Sequence, residues 1–187
     1  MKPSFDDPLQ MTVYSALFGA LITAGAFLAV PLGPVPIVLQ NFFVLLTGLL
    51  LGSRWGLFSV GVYLLAGACG LPVFAGATGG LGRLFGPTGG YLFGYLPAVW
   101  VVGALSERLG RKAGGDLLAL ICGTIIVYAC GVPWLRGVTA MDWTQALTVG
   151  MIPFLPGDVL KIAAAIPVAR TLRPIMNRQG TGVEVVG

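Results

Sequence analysis

The sequence predicts an all-α integral membrane protein with six transmembrane helices. Hydrophobic residues make up 56% of its 187 residues and charged residues only 10%, whereas soluble domains carry about 25% charged residues. Long stretches have no charge at all, and residues 8–53 form the longest of them. Since a membrane span needs about 20 apolar residues, that stretch alone has room for two helices.

Breaks in the uncharged stretches delimit the six helices in order. Three prolines between residues 31 and 36 separate the first two helices, because proline cannot continue a helix. The later stretches each have room for one helix, and the last contains two charged residues. We therefore predict helices at 9–30, 36–52, 55–73, 91–106, 117–135 and 143–169. They form a membrane domain at 9–170, between a short cytoplasmic segment at 1–8 and a basic, then flexible, tail at 171–187.

The lysines and arginines orient these helices. Six helices place both termini on one side of the membrane, together with the loops after the second and fourth helices. Arg83 and Arg136 belong to the opposite side, and Lys161 lies inside a helix. The first side holds the other eight basic residues: Lys2, Arg54, Arg108, Arg111, Lys112, Arg170, Arg173 and Arg178. Because cytoplasmic loops carry an excess of basic residues, we predict that both termini are cytoplasmic.

The composition also excludes several functions. The chain has no histidine and its three cysteines show no CxxC spacing, so we expect no metal site and no histidine-based catalysis. No GxxxxGK[ST] motif occurs, so ATP hydrolysis through that motif is excluded. The net charge of +4 is small and dispersed, which argues against nucleic acid as a partner.

Asp158 and Lys161 are the strongest candidates for a binding site. A charge at the centre of a membrane helix costs roughly 2.5–3.5 kcal/mol, and a spacing of three places both side chains on one helical face. Such a pair marks a ligand site, a salt bridge between helices, or a cytoplasmic helix end at which both groups are in water. Pro153 and Pro156 precede it and free backbone groups beside a cavity.

The segment 75–90, predicted as an extracytoplasmic loop after helix three, contains seven glycines. Glycine lets the backbone approach a ligand closely, so this loop suits a lid, with Gly79 and Gly80 as candidate contacts. Arg83 is its only charge and would either bind a carboxylate or lie among lipid headgroups. The spacing does not match GxGxxG, which argues against a dinucleotide site.

Polar and small residues in apolar surroundings add further candidates. Amides and hydroxyls at membrane depth need hydrogen-bond partners, and the sequence offers Gln40, Asn41, Thr88 and Tyr91. Small residues at every fourth position allow close helix packing, either within the chain or against a partner protein. Two such ladders occur: Ala16, Ala20 and Ala24, and Gly48, Gly52 and Gly56.

Several blocks together resemble the BioY family, the biotin-specific substrate-binding (S) components of energy-coupling factor (ECF) transporters. The resemblance spans residues 10–170. Its blocks are Gly33-Pro34-Val35-Pro36 followed by Gln40, Leu71-Pro72-Val73-Phe74-Ala75-Gly76, Gly86-Pro87-Thr88-Gly89-Gly90-Tyr91, Gly131-Val132-Pro133-Trp134, and Pro153-Phe154-Leu155-Pro156-Gly157-Asp158 with Lys161.

The resemblance implies high-affinity biotin binding in a pocket near the outer face, under a lid formed by the loop after helix three. Asp158 and Lys161 would bind the ureido ring and Arg83 the carboxylate, although the reverse orientation is also open. Phe74 and Tyr91 would line the apolar body of biotin. Gln40, Gly79, Gly80 and Thr88 complete the expected ligand-binding set.

The resemblance also implies partners. Ala16, Ala20 and Ala24 would dock a transmembrane coupling protein that carries two ATPase subunits. The expected location is the cytoplasmic membrane of a bacterium or archaeon, in contact with lipid. Biotin would be the transported ligand, and no cofactor is expected.

Other functions are compatible with parts of this pattern. An S component for a different small vitamin would share the six helices. An intramembrane enzyme could use Asp158 and Lys161 as acid and base, but it would need a nucleophile or metal site that the sequence does not offer. A passive channel would need a continuous lined pore, which a single buried charged pair does not supply.

Overall fold

The computed structural model describes residues 8–30 and 34–179. Most of the predicted segment 1–8, Gly33 of the first family block, and the tail beyond Gln179 lie outside the described residues. The elements are helices joined by short connections, plus one two-stranded pair. In order they are α1 Pro8–Phe27, β1 Ala29–Val30, β2 Ile37–Val38, α2 Gln40–Ala68, α3 Leu81–Leu84, α4 Gly89–Arg108, α5 Ala113–Thr139, α6 Trp143–Gly150, a 3₁₀ turn Ile152–Phe154, and α7 Leu155–Gln179.

Helical stretches long and apolar enough to cross a membrane dominate the described chain. Five qualify: Pro8–Phe27, Gln40–Ala68, Gly89–Arg108, Ala113–Thr139 and Trp143–Met176. Large apolar side chains on their outer faces are open to the surroundings; Leu65 is 66% exposed and Leu160 is 72% exposed. A surface of this kind suits lipid, and the prediction of a helical, multi-pass membrane protein is confirmed.

The helices predicted at 36–52 and 55–73 form the single element α2, which reverses direction at Gly52. Gly52 has φ +79° and ψ −173°, a conformation that glycine adopts without strain. The side chain of Gln40 donates to Tyr63 Oη at 2.8 Å, whereas 23 residues of straight helix would separate them by about 34 Å. The arms 40–51 and 53–68 therefore lie side by side, and the second ends at Ala68 rather than at 73.

Glycines allow the two arms and α4 to approach closely. A Cβ atom on Gly48 would lie 2.8 Å from the Val99 carbonyl oxygen, and one on Gly56 would lie 3.5 Å from Gly48 Cα. A Cβ on Gly103 of α4 would lie 2.3 Å from Ser53 N. The ladder Gly48, Gly52 and Gly56 therefore serves internal packing, the first of its two predicted roles.

The continuous helix predicted at 143–169 is wrong. The chain leaves helical geometry at Met151, with φ −136° and ψ −55°, and forms the 3₁₀ turn before α7 begins. Pro153 and Pro156 cannot donate backbone hydrogen bonds to a preceding helical turn, but they fit the first turn of a new helix. At its other end α7 runs to Gln179, past the predicted end at 169.

A short antiparallel pair replaces the end of the first predicted helix. The helix predicted to reach residue 30 ends at Phe27, and Ala29 pairs with Val38 while Val30 pairs with Ile37. This pairing brings the chain back to the start of α2. It therefore places Val38, and with it the first turn of α2, beside the cavity described below.

Candidate ligand-binding site

A cavity opens among the helices at the end of the molecule away from the Gly52 turn. It encloses about 720 Å³ of space free of protein atoms, a figure that includes open solvent at its mouth. The lining comes from β2, the start of α2, the glycine-rich segment, α4, α5 and the beginning of α7. Its polar or aromatic members are Gln40, Asn41, Phe74, Arg83, Thr88, Tyr91, Tyr95, Thr124, Tyr128, Phe154, Asp158 and Lys161.

Four polar side chains meet on one wall of this cavity. The amide of Asn41 donates from Nδ2 to Asp158 Oδ1 at 2.9 Å and accepts at Oδ1 from Lys161 Nζ at 2.8 Å. Lys161 Nζ also contacts Asp158 Oδ1 at 3.2 Å and donates to the Val38 carbonyl at 2.9 Å. The Tyr128 hydroxyl donates to Asp158 Oδ2. Both predicted charges are thus held in place by fixed partners.

The charged pair is almost completely removed from solvent. The side chain of Asp158 is 5% exposed and that of Lys161 is 12% exposed. Burying two charges is costly unless each is paired and its remaining hydrogen-bonding capacity is satisfied. Here both carboxylate oxygens accept hydrogen bonds, and the ammonium has three acceptors around it. The wall therefore presents fixed donors and acceptors beside an otherwise largely apolar cavity.

A second set of hydrogen bonds connects the cavity lining at Gln40 to the residues just before the glycine-rich segment. Gln40, which lines the cavity, donates to Tyr63 Oη at 2.8 Å, and the Tyr63 hydroxyl donates to the Val73 carbonyl at 3.1 Å. The ring of Phe74 meets Tyr63 edge to face, with centroids 5.6 Å apart. Phe74 is 1% exposed. The base of the segment is thus packed directly on the cavity wall.

Arg83 lies on α3, within the glycine-rich segment, and lines the cavity. Within the described part of the chain, the one hydrogen-bond contact of its side chain is from Nη2 to the Ala75 carbonyl, at 3.5 Å. A guanidinium group has five N–H donors. Arg83 is therefore positioned to bind an anionic group at the cavity.

The structure brings together most of the residues predicted as a site. Gly79 and Gly80 are the exceptions, because neither is among the described residues that line the cavity. A Cβ on Gly79 would lie 2.2 Å from the Leu71 carbonyl oxygen, and the Gly80 N–H donates to the Gly67 carbonyl at 2.7 Å. In this structure both glycines shape the segment itself. The seven that line the cavity are Gln40, Phe74, Arg83, Thr88, Tyr91, Asp158 and Lys161.

Sequence reasoning missed several lining residues. Tyr128 and Thr124 lie four residues apart on α5, and Tyr95 lies four residues after Tyr91 on α4. Residues at this spacing share a helical face, so the spacing could have indicated that these hydroxyls face one cavity. The sequence indicates only that Asn41 needs a hydrogen-bond partner, because its position between the two charges depends on tertiary packing.

A second, mostly apolar groove lies on the outer side of the same wall. It runs between α5 and the segment from α6 to α7, and its lining includes Ile125, Trp143 and Leu155. These three side chains are 60%, 52% and 40% exposed. Thr124 and Tyr128 line both this groove and the cavity. The cavity wall is therefore one side chain thick at this point.

The fold and the site define a multi-pass helical membrane protein with an internal, largely apolar cavity that has one polar wall. Residues 1–178 match the BioY family, and the chain belongs to this family. It is 40% identical to the biotin transporter BioY of Thermotoga maritima over 167 residues, which cover 89% of this chain and 98% of that protein. It is 44% identical to the biotin transporter BioY of Rhodobacter capsulatus over 169 residues, covering 83% and 89% of the two chains.

Solved structures agree with this assignment. The chain matches the crystal structure of the S-component for biotin from an ECF-type ABC transporter with a TM-score of 0.83 and 33% identity, covering 89% of this chain and 92% of that one. The relatives are named as transporters. The prediction of a transporter component rather than an enzyme is confirmed.

Proposed function

We propose that this protein binds biotin with high affinity and mediates its uptake as the S component of an ECF-type transporter. The observation that carries the proposal is the polar wall formed by Asn41, Tyr128, Asp158 and Lys161 in the cavity of a BioY-family chain. Biotin combines a ureido ring, which has N–H donors and a carbonyl acceptor, with an apolar body and a carboxylate. Fixed hydrogen-bonding groups on one wall of an apolar cavity complement such a molecule.

In this proposal each end of biotin has its own partners. Asp158 accepts from a ureido N–H and Lys161 donates to the ureido carbonyl, while Arg83 binds the carboxylate. Phe74 and Tyr91 contact the apolar body. Gln40 and Thr88 contribute polar contacts, and Gly79 and Gly80 act through the lid that the glycine-rich segment forms over the ligand.

We further propose that the chain crosses the membrane six times, with the two arms of α2 as the second and third crossings. The reversal at Gly52 supports this count. Eight basic residues fall on the side that would hold both termini, which supports a cytoplasmic location for the termini. The glycine-rich segment then faces the outside of the cytoplasmic membrane of a bacterium or archaeon.

The proposed partners are a transmembrane coupling protein and two ATPase subunits. Ala16, Ala20 and Ala24 are all exposed on α1, and Val13 and Leu17 beside them are more than half exposed. A stripe of small residues open to the membrane allows another helix to pack closely. The chain itself needs no cofactor in this proposal.

Calorimetric titration of biotin into the purified protein tests the function. We expect one-to-one binding that weakens at least tenfold in Asp158→Asn, which corresponds to about 1.4 kcal/mol. Asp142→Asn is the matched control, because Asp142 caps α6 outside the cavity and asparagine caps a helix as well as aspartate. A folded wild-type protein that binds another small vitamin but not biotin would overturn the proposal.

A further inference from the structure

A second buried charged pair holds α7 at its other end. Arg173 lies 15 residues after Asp158, or about 22 Å further along the helix. Its Nη1 is 2.6 Å from Asp116 Oδ2 and its Nη2 is 2.9 Å from Asp116 Oδ1. Asp116, in the first turn of α5, is 0% exposed, and Arg173 is 8% exposed. This two-pronged geometry fixes direction as well as distance.

Arg173 also bonds to two further elements. Its Nη2 donates to Ser106 Oγ on α4 at 3.0 Å, and to the Leu49 carbonyl on α2 at 3.0 Å. Leu49 would ordinarily accept from Ser53 N within the helix. The reversal at Gly52 removes that donor, and Ser53 N instead donates to Glu107 Oε1 at 3.0 Å. Arg173 therefore caps the end of the first arm of α2, where a cation is favourable.

Between its two polar ends, the most deeply buried stripe of α7 carries only small side chains, while larger apolar side chains such as Ile162, Ile166 and Leu172 flank it and pack on the core. Its inward stripe runs through Asp158, Lys161, Ala165, Ala169 and Arg173 at spacings of three and four. Ala165 is 1% exposed and Ala169 is 0% exposed, so the middle of the stripe is buried. Alanine has no side chain beyond Cβ to interlock with its neighbours, and apolar contact is not directional. The apolar flanks add stability, whereas the polar ends supply the directional contacts that favour one axial register of α7.

We propose that Asp116 and Arg173 are a positioning pair for the ligand site: they set the register of α7 and thereby hold Asp158 and Lys161 against Asn41 and Tyr128. A shift by one residue moves the helix by about 1.5 Å and turns it by about 100°. Such a shift breaks the 2.9 Å contact between Asn41 and Asp158. The effect on ligand affinity rests on the proposed function, whereas the effect on register does not.

The double variant Asp116→Leu/Arg173→Met tests the pair. Replacing a buried ion pair by apolar residues is often neutral for stability, but here the Leu49 carbonyl and Ser106 Oγ also lose a partner. We therefore expect a folded protein with a lowered melting temperature. We expect its affinity for biotin to fall at least tenfold, because the directional contact is gone. Glu107→Ala is the control, since it removes the contact to Ser53 at the same end of the molecule without touching α7, and should leave affinity unchanged.

Arg173→Lys provides a second variant if the double variant does not fold. Lysine keeps the charge but presents its donors on one nitrogen, so it cannot contact Asp116, Ser106 and the Leu49 carbonyl in the same way. We expect several-fold weaker biotin binding. Wild-type affinity in the folded variants, at a changed melting temperature, would show that the pair serves stability alone and would overturn the proposal.

A distance measurement tests the register without any ligand. The native cysteines are first replaced by serine, and spin labels are attached at Leu65→Cys on α2 and Leu160→Cys on α7, both exposed positions. The distance between the labels reports the axial position of α7 relative to α2. We expect one narrow distance in the chain with the pair and a shifted or broadened distribution in Asp116→Leu/Arg173→Met. Identical distributions would overturn the positioning role. Failure of the wild-type protein to bind biotin would instead overturn only the proposed function.

Discussion

Asn41 organises the charged wall because one amide serves both charges. Its nitrogen donates to Asp158 and its oxygen accepts from Lys161. A carboxylate can only accept and an ammonium can only donate, so an amide between them has a single orientation that satisfies both. This arrangement fixes the two charged groups relative to the first turn of α2 as well as to each other.

Tyr128→Phe tests the contribution of a single hydroxyl to the site. The change keeps the ring and removes the donor to Asp158 Oδ2. Because this bond orients the Asp158 carboxylate before the ligand arrives, we expect biotin affinity to fall several-fold in a calorimetric titration. Tyr14→Phe, on α1 where the hydroxyl accepts from Gln10, should bind as the wild type does. Equal affinities in the two variants would remove Tyr128 from the site.

The charged residues of the site could be predicted from the sequence, but their neutral partners could not. Asp158 and Lys161 stand out because charges are rare and costly in a membrane helix. Tyr128 does not stand out, since an aromatic ring is unremarkable in an apolar helix, and its hydroxyl finds Asp158 only because α5 packs beside α7. The predicted bounds likewise leave Asp116 between the helices at 91–106 and 117–135 and Arg173 in the tail, because nothing local indicates that the two residues meet.

Gly52 shows which helix boundaries a sequence pattern can locate. The charge of Arg54 ends one uncharged stretch and predicted the boundary between the helices at 36–52 and 55–73, and the structure has two arms that meet at Gly52. The pattern did not predict the tightness of the turn. That depends on a positive φ at Gly52 and on Glu107 from α4, which bonds to Ser53 N.

Gly52→Ala is expected to destabilise the protein by about 2 kcal/mol or more. A side chain at positive φ costs roughly 1–2 kcal/mol, and the new Cβ would lie 2.0 Å from Glu107 Oε1. Thermal unfolding in detergent measures the effect. Gly61→Ala is the control in the same helix: nothing lies within 4 Å of its Cβ position, so we expect unchanged or slightly raised stability. Similar melting temperatures for both variants would contradict the strained turn.

Gly131→Ala should weaken ligand binding through α5. The added Cβ would lie 2.3 Å from ring atoms of Tyr91, so that ring must move, and its hydroxyl bond to the Gly150 carbonyl at 2.8 Å must change. Because Tyr91 lines the cavity, we expect biotin affinity to fall several-fold. Gly137→Ala, in open space on the same helix, should leave affinity unchanged, and a loss of affinity in this control would point to a general effect on α5.

At the scale of the whole molecule, binding and uptake should be separable. Ala16→Trp/Ala20→Trp places bulk on the exposed face of α1, away from the cavity, where a partner helix would pack. We expect uptake of labelled biotin by cells that also make the coupling and ATPase subunits to be lost, while affinity in the purified protein stays the same. Leu118→Trp on α5, also exposed, controls for added bulk. Normal uptake in the alanine variant would exclude this face of α1 as the docking surface.

At Thr124 and Tyr128 a single layer of side chains separates the cavity from the apolar groove that faces the bilayer. Acyl chains that fill the groove beside Ile125 and Leu155 rest against the same tyrosine whose hydroxyl bonds to Asp158. Detergents of different tail length fill that groove to different extents. We therefore expect affinities measured in micelles to depend on the detergent, and titrations in lipid nanodiscs and in detergents of different tail length check this.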